Sequence, residues 1–154
     1  MKIAEILNLN SISLKSKISK KEDIINLALD LANKSGKINN FEIAKSEVFK
    51  REAIMSTGIG NGIALPHAKT NAVDSLIGAF ITLENPTNFV SLDDSKVSMV
   101  FLLLGQDSNV GIHLRLLSKI SRYLNNDLFK SQLLALETPE EVLDLFNKYE
   151  SELS

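Results

Sequence analysis

Residues 97–104 read VSMVFLLL, and residues 76–83 read LIGAFITL. Both runs are almost continuously apolar, and their length suits a strand rather than a long helix or a membrane span. A strand that is apolar on both sides is typical of a sheet whose two faces are both covered. The two runs therefore predict the centre of a sheet that lies between layers of helices.

The segments around these runs carry turn and helix signals. ENPTN at 84–88 and LDDSK at 92–96 have the composition of turns. Ser19 and Glu22 match the S-x-x-E capping box before a run with helical apolar spacing, and Gly36 is a natural stop for that helix. The other expected elements are a short helix around Ala4–Leu7, a strand-like alternation at Ile12, Leu14 and Ile18, a helix from Asn39 or Asn40 to Glu52, a short strand at Ile63–Leu65, a helix opened by His113 with Leu114, Leu117, Ile120 and Leu124 facing inward, a helix at Asp127–Leu134, and a last helix capped by Thr138, Pro139 and Glu141.

The length and the order of these elements predict the fold class. A chain of 154 residues has the size of one domain. We expect a single α/β domain over residues 1–154 with three layers, in which a mixed, mostly parallel β-sheet of about five strands is flanked by helices on both faces. Capped helices near both ends favour a self-contained unit.

The composition excludes several classes of function. There are 17 Lys and Arg against 19 Asp and Glu, a net charge of −2, which argues against nucleic acid as the main partner. The sequence has no Cys and two His, so disulfides, Cys-based zinc sites and His-rich metal sites are excluded. No apolar run approaches the ~20 residues of a membrane span, and the N-terminus lacks a signal peptide. We expect a cytoplasmic protein without membrane insertion and without a cofactor.

The segment STGIGNGIALPHAKT, residues 56–70, contains the strongest candidate for chemistry. Its glycines do not match a dinucleotide or P-loop fingerprint, but Gly58, Gly60 and Gly62 offer backbone N–H groups that can surround an anion. Pro66 stiffens the backbone before His67, and a neutral imidazole is a competent nucleophile near pH 7. A lone histidine is more often a partly buried structural residue, so this alternative stays open at this point.

Other residues are candidates for binding an anion beside His67. His113 is the second histidine, and it can donate a hydrogen bond if the sheet brings it close. Arg51 either belongs to a surface ion pair with Glu52 or grips phosphate oxygens with its planar fork. Ser56 and Thr57 offer hydroxyls to the same pocket or cap the turn, and the residues alone favour the turn.

The whole segment from Arg51 to Thr70 resembles the active-site region of the enzyme IIA domains of the fructose/mannitol (nitrogen-type) class, from the bacterial phosphoenolpyruvate-dependent sugar phosphotransferase system. The resemblance rests on an Arg-Glu pair, a Ser/Thr-Gly turn, a glycine-rich stretch and Ile-Ala-Leu-Pro-His. It extends to the VFLLL run, the His-Leu-x-x-Leu helix start and the closing P-E-E-V-x-x-L helix. Ala68-Lys69 departs from the Gly/Ala-Arg that many relatives carry, and GQDSNVG lacks a common Pro.

The resemblance implies a phosphotransferase that works through a phosphohistidine. His67 matches the phosphorylated residue, and Arg51 and His113 match the residues that stabilise the phosphate. The implied donor is the histidine phosphocarrier protein, and the implied acceptor is an enzyme IIB domain of a sugar permease, usually through a Cys. The sugar is selected mostly by the membrane component, so the resemblance names no sugar.

Three alternatives remain beside sugar transport. A regulatory, nitrogen-type relative would be phosphorylated at the same histidine but would signal through its phosphorylation state. A non-catalytic interaction domain is less consistent with intact Arg51, His67 and His113. A hydrolase is least consistent, because no paired acidic residue or nucleophile accompanies the histidines.

Overall fold

Six strands form one mixed sheet in the computed structural model, which describes residues 1–91 and 93–153. The order across the sheet is β1-β5-β6-β3-β2, and β4 also pairs with β6. The strands are β1 (Ile12–Ser16), β2 (Gly58–Gly60), β3 (Ile63–Ala64), β4 (His67–Lys69), β5 (Ile77–Thr87) and β6 (Val97–Gly105). The helices are α1 (Ile3–Ile6), α2 (Lys21–Asn33), α3 (Phe41–Ile54), α4 (Val110–Leu124), α5 (Asp127–Ala135) and α6 (Pro139–Leu153), with short 3-10 turns at Leu9–Ser11 and Asp107–Asn109.

The two apolar runs form the antiparallel pair β5–β6 at the centre of the sheet, as expected. The pairings β1–β5, β3–β6 and β4–β6 are parallel, whereas β2–β3 is antiparallel. The prediction of a mixed, mostly parallel sheet is therefore confirmed. The sheet has six strands where about five were expected, and residues 58–69 contribute three of them, although only the short strand at Ile63 was expected in this segment.

The alternation of side chains along β6 separates two apolar cores. Val100, Leu102 and Leu104 pack on the side of α2 and α3. Met99, Phe101 and Leu103 pack on the opposite side, against α1, α4, α5 and α6. Successive strand residues point to opposite faces, so a run that is apolar at every position is covered on both sides. Helices on both faces of the sheet are confirmed.

The predicted capping box at the start of α2 is wrong. The helix begins at Lys21, and its N-cap residue is Lys20, which makes no side-chain capping hydrogen bond, so Ser19 and Glu22 do not form a capping box. Glu22 and Asp23 lie in the first turn, where negative charge favours the helix dipole. By contrast, Asn40 caps α3 through Ile43 N–H, and Thr138 caps α6 through Glu141, both as expected.

The predicted start of α4 is also wrong. The helix begins at Val110, so His113 lies within its first turn instead of opening it. His113, Leu116, Ile120 and Leu124 are buried toward the sheet, whereas Leu114 is 58% exposed. The helical period explains the correction, because residues three to four positions apart share a face and Leu114 follows His113 by only one.

The expected turn at ENPTN is wrong as well. Strand β5 continues to Thr87, which pairs with Val97, and the register shifts between Thr82 and Thr87. Pro86 is exposed within this irregular part of the pair, where the missing N–H costs no regular ladder bond. In the second expected turn, Asp93 lies in a turn and residues 94–96 have no regular secondary structure, while Leu92 lies outside the described residues. Among the helices of residues 1–91 and 93–153, none is long and apolar enough to cross a membrane.

Candidate active site

His67 begins β4, the short strand that pairs with β6 at the level of Leu103. Its ring is partly exposed, while Leu65 and Pro66 before it are buried. Nδ1 of His67 lies 2.9 Å from the carbonyl oxygen of Leu65. A carbonyl oxygen can only accept, so Nδ1 carries the hydrogen and Nε2 keeps its lone pair. The backbone of the strand thus selects the tautomer of the ring.

The surroundings of His67 favour its neutral form. Burial is the largest influence and lowers the pKa of the ring below its usual 6.5. The hydrogen bond to Leu65 and the charge of Glu52 raise that pKa, while the charges of Arg51 and Lys69 lower it, and the net direction is downward. A neutral ring with a free Nε2 lone pair is a nucleophile at neutral pH.

His113 faces His67 from α4. The two ring centroids are 5.7 Å apart, and the planes are inclined by 51°. His113 is 1% exposed, and within the described residues neither ring nitrogen has a hydrogen-bond partner. Burial, followed by the charges of His67 and Lys69, lowers the pKa of His113 to about 4. A buried imidazole with two unpaired nitrogens therefore points toward His67 with its hydrogen-bonding capacity unused.

Gly105, the last residue of β6, provides the space for the ring of His113. A Cβ atom at this position would lie 2.8 Å from Nδ1 of His113 and 3.1 Å from Leu76. Any larger residue would therefore push the imidazole away from its place. The end of the central strand determines how near the two histidines lie.

Three cations, Lys50, Arg51 and Lys69, share a cleft of about 350 Å³ with both histidines. Lys50 is paired with Glu47 at 3.5 Å. Arg51 lies near the end of α3, where Nη1 donates a hydrogen bond of 2.8 Å to the carbonyl of Met55, and Lys69 ends β4. The apolar side chains at the rim include Ile54, which is 81% exposed, and Leu114. The cleft is lined by Glu47, Lys50, Arg51, Ile54, His67, Ala68, Lys69, Asp107, His113, Leu114 and Leu117.

Ser56 and Thr57 line an adjoining cleft that also contains Arg51 and His67. Their hydroxyls, however, are already used. The Ser56 hydroxyl donates to the carbonyl of Phe89 at 2.6 Å, and the Thr57 hydroxyl donates to the Glu52 carboxylate. Neither hydrogen is available for an anion unless an existing bond breaks, so these two residues hold the turn instead.

The backbone N–H groups of Gly58 and Gly62 are already hydrogen-bonded, to the hydroxyls of Ser56 and Ser95. A Cβ atom at Gly58 would lie 2.6 Å from Ser91, and one at Gly60 would lie 3.0 Å from Asp93. A Cβ atom at Gly62 would lie 3.1 Å from the hydroxyl of Ser98. Gly60 and Gly62 also have positive φ angles, of 95° and 79°. None of the three is among the residues that line the two clefts. They allow the β2–β3 hairpin to turn and to pack closely, which corrects the expectation of a backbone cradle for phosphate.

Sequence reasoning missed the role of Glu52. The side chain of Glu52 is buried, and it pairs with Lys21 at 2.6 Å and not with its neighbour Arg51. The structure thus contradicts the surface ion pair between Arg51 and Glu52. The partners are 31 positions apart, so no local pattern could have indicated the contact.

The site has the character of a pocket for an anion beside a nucleophile. Arg51 and Lys69 supply positive charge, His113 supplies an unused hydrogen-bonding group, and His67 presents Nε2. In the described part of the chain, no group of three or more His, Asp or Glu side chains is arranged to bind a metal ion.

Comparison with known proteins places the chain among phosphotransferase components. The family "Phosphoenolpyruvate-dependent sugar phosphotransferase system, EIIA 2" matches residues 5–149. The chain is 34% identical over 143 residues to the fructose-specific EIIA component of Haloferax volcanii, with 93% of each chain covered. It is 33% identical over 150 residues to the fructose-specific EIIABC component of Bacillus subtilis, covering 97% of this chain but only 24% of that protein. The nitrogen regulatory protein IIA-Ntr of Neisseria meningitidis has the same fold, with a TM-score of 0.86, 30% identity and coverage of 94% and 98%.

Proposed function

The chain belongs to the EIIA 2 family of the phosphoenolpyruvate-dependent sugar phosphotransferase system, and on this basis we propose that it carries a phosphoryl group on His67. The group arrives from the histidine phosphocarrier protein and leaves to an enzyme IIB domain in the cytoplasm. The observation that supports this most is the hydrogen bond from Nδ1 of His67 to Leu65, because it leaves Nε2 unprotonated.

The transfer itself needs alignment and charge stabilisation more than acid–base chemistry. Nε2 of His67 attacks the phosphorus of the donor's phosphohistidine in line with the breaking P–N bond. The electron pair of that bond returns to the donor imidazole, and a new N–P bond forms at Nε2. Nδ1 keeps its hydrogen throughout. In the second step the acceptor, a Cys thiolate in the related systems, attacks the same phosphorus, and the electron pair returns to Nε2.

Three residues are assigned to hold the phosphoryl oxygens. Arg51 offers a guanidinium whose planar fork suits two oxygens, and Lys69 adds a second positive charge. His113 is neutral at pH 7 because its pKa is about 4, so one ring nitrogen can donate a hydrogen bond. Fixed donors stabilise the transferring group without the reorganisation that water would need.

The surface around the cleft suits partners that bind and leave. Ile54, Met55 and Leu114 are exposed by 81%, 59% and 58% beside the cationic cleft. Exposed apolar residues in such a setting mark an interaction site. The Bacillus subtilis relative carries EIIA, EIIB and EIIC in its name as one component, which supports an enzyme IIB domain of a sugar permease as the acceptor.

A regulatory role is the second candidate. The similarity to the nitrogen regulatory protein of Neisseria meningitidis, at 30% identity and a TM-score of 0.86, favours it. In this role His67 is phosphorylated in the same way, but the phosphorylation state controls binding to target proteins. The two roles differ in the acceptor, so transfer to a panel of enzyme IIB domains separates them.

The test is transfer of a labelled phosphoryl group from phosphoenolpyruvate through the general carrier proteins to the purified chain. We expect an acid-labile label on the wild type and none on His67→Ala. His113→Ala is the control, because it keeps the proposed acceptor and should still be labelled, but more slowly. A His67→Ala variant that is labelled as fast as the wild type would overturn the assignment.

A further inference from the structure

Glu52 is a buried carboxylate that lies behind the site and does not line the cleft of His67 and His113. Its side chain is 7% exposed and pairs at 2.6 Å with the ammonium group of Lys21, which is 28% exposed. Lys21 is the first residue of α2, a helix that is remote from the motif in sequence. A buried carboxylate is costly unless it is paired and hydrogen-bonded, so such a group is kept where its bonds hold something in place.

The bonds of Glu52 hold the segment that leads into the glycine-rich hairpin. The backbone N–H of Thr57 donates to Oε1 of Glu52 at 3.0 Å, and the hydroxyl of Thr57 donates to Oε2. Lys21 also donates to the hydroxyl of Ser56 at 3.3 Å, next to Thr57. Both carboxylate oxygens are therefore used to fix the position of one residue, Thr57.

Thr57 is linked to the imidazole through Leu65, the residue that follows β3. The N–H of Leu65 donates to the carbonyl oxygen of Thr57 at 2.9 Å. The carbonyl of the same residue, Leu65, then accepts the hydrogen of Nδ1 of His67 at 2.9 Å. A continuous series of hydrogen bonds thus runs from Lys21 to the ring whose tautomer it determines.

We propose that Glu52, held by Lys21, is a positioning residue for His67: it fixes Thr57 and Leu65 so that the Leu65 carbonyl takes the Nδ1 hydrogen and leaves Nε2 free. Glu52 does not touch the phosphoryl group and is not a catalytic residue. The effect on phosphoryl transfer rests on the proposed function, whereas the effect on the tautomer does not.

The molecule contains a matched control for this ion pair. Lys119 and Glu150 form a second pair at 2.7 Å, with side-chain exposures of 24% and 3%. Glu150 also accepts a backbone hydrogen bond, from Ile3 at 2.8 Å. This pair joins α4 and α6 to the N-terminal helix and has no hydrogen-bond link to Leu65 within the described residues. Its loss should therefore cost stability without changing His67.

The experiment compares Glu52→Gln and Lys21→Met with Glu150→Gln in the full chain. The first measurement is the ¹⁵N–¹H correlation spectrum of the histidine side chains, which reports which nitrogen of His67 carries the hydrogen. The second is the rate of phosphorylation at saturating donor, separated from the KM for the donor. Lys21→Arg, which keeps the charge, serves as the conservative variant.

We expect Glu52→Gln to lose the exclusive Nδ1–H tautomer and to lower the maximal rate by about tenfold, with little change in KM, because small misplacements of a reacting atom slow transfer strongly. Lys21→Met should show the same change to a smaller extent. Lys21→Arg, which keeps the charge, should keep the wild-type tautomer and rate, and so should Glu150→Gln.

A folded Glu52→Gln variant with the wild-type tautomer and rate would refute the positioning role. Equal losses in Glu150→Gln would refute it too, since they would trace the effect to general destabilisation. A wild-type chain that accepts no phosphoryl group would refute the proposed function instead, while the tautomer measurement would still test the role of Glu52.

Discussion

A single methyl group at Gly105 should slow phosphoryl transfer by moving His113. The added Cβ atom would lie 2.8 Å from Nδ1 of His113, and ordinary contacts begin at 3.4 Å. The ring must therefore retreat by about 0.6 Å, and the Cδ2 atom of Leu76, at 3.1 Å, must give way by a few tenths of an ångström as well. A misplacement of about 1 Å costs up to roughly 10²-fold in rate, so we expect Gly105→Ala to lose about tenfold. Overpacking should lower the free energy of unfolding by about 1–3 kcal/mol.

Gly111→Ala is the matched control for this prediction. Gly111 lies in the first turn of α4, and its Cβ atom would meet only Arg115 at 3.7 Å, an ordinary contact. This variant should be as stable as the wild type or more stable, because Ala favours a helix over Gly by about 1 kcal/mol. The assay is the initial rate of phosphorylation of each folded variant, together with the pKa of His113 followed by NMR. A Gly105→Ala variant with the wild-type rate and an unchanged pKa of His113 would refute the reasoning.

Two further predictions concern the charges of the site. Arg51→Ala should lower the transfer rate by roughly 10²-fold, the usual cost of one lost transition-state donor, and Arg51→Lys should be intermediate. Loss of the exposed hydrogen bond to Met55 should lower the free energy of unfolding by no more than about 1 kcal/mol. A wild-type rate would remove Arg51 from its role. The free energy of unfolding should decrease as the pH falls from 6.5 to about 4, because in this window the unfolded chain binds a proton at His113 that the folded chain, with a pKa of about 4, does not. Urea unfolding at pH 7 and pH 4.5 should reveal a loss of about 2–3 kcal/mol that is smaller in His113→Gln, and identical losses would contradict the burial of that ring.

The sequence predicts those parts of the fold that depend on local patterns. The apolar runs at 76–83 and 97–104 became β5 and β6, and the Asn40 and Thr138 caps start α3 and α6. The start of α4 differs from the expectation because residues 107–111 have the composition of a loop, and Asn109, the N-cap residue, makes no side-chain capping bond. The end of β5 differs from the expectation because an Asn-Pro pair is typical of a turn, although the irregular end of this strand tolerates it.

The site was predictable only in part for a similar reason. The motif with Pro66 predicts His67 as the reactive ring, and His113, the second histidine, is the candidate for its partner. The fold places the two ring centroids 5.7 Å apart. The contact between Lys21 and Glu52, and the packing of the glycines against Ser91, Asp93 and Ser98, join segments that are distant in the chain. Periodicity and local spacing carry no information about such contacts, since these depend on how the layers stack.

The attachment of His67 to a paired strand has a kinetic consequence. A reactive group on a flexible arm can swing between two docked proteins, but an imidazole whose backbone is paired with Leu103 stays where the sheet holds it. Under the proposed function, donor and acceptor must therefore visit the same face one after the other. Neither can occupy it while the other is bound, so each should inhibit the binding of its counterpart, and turnover should follow a ping-pong scheme.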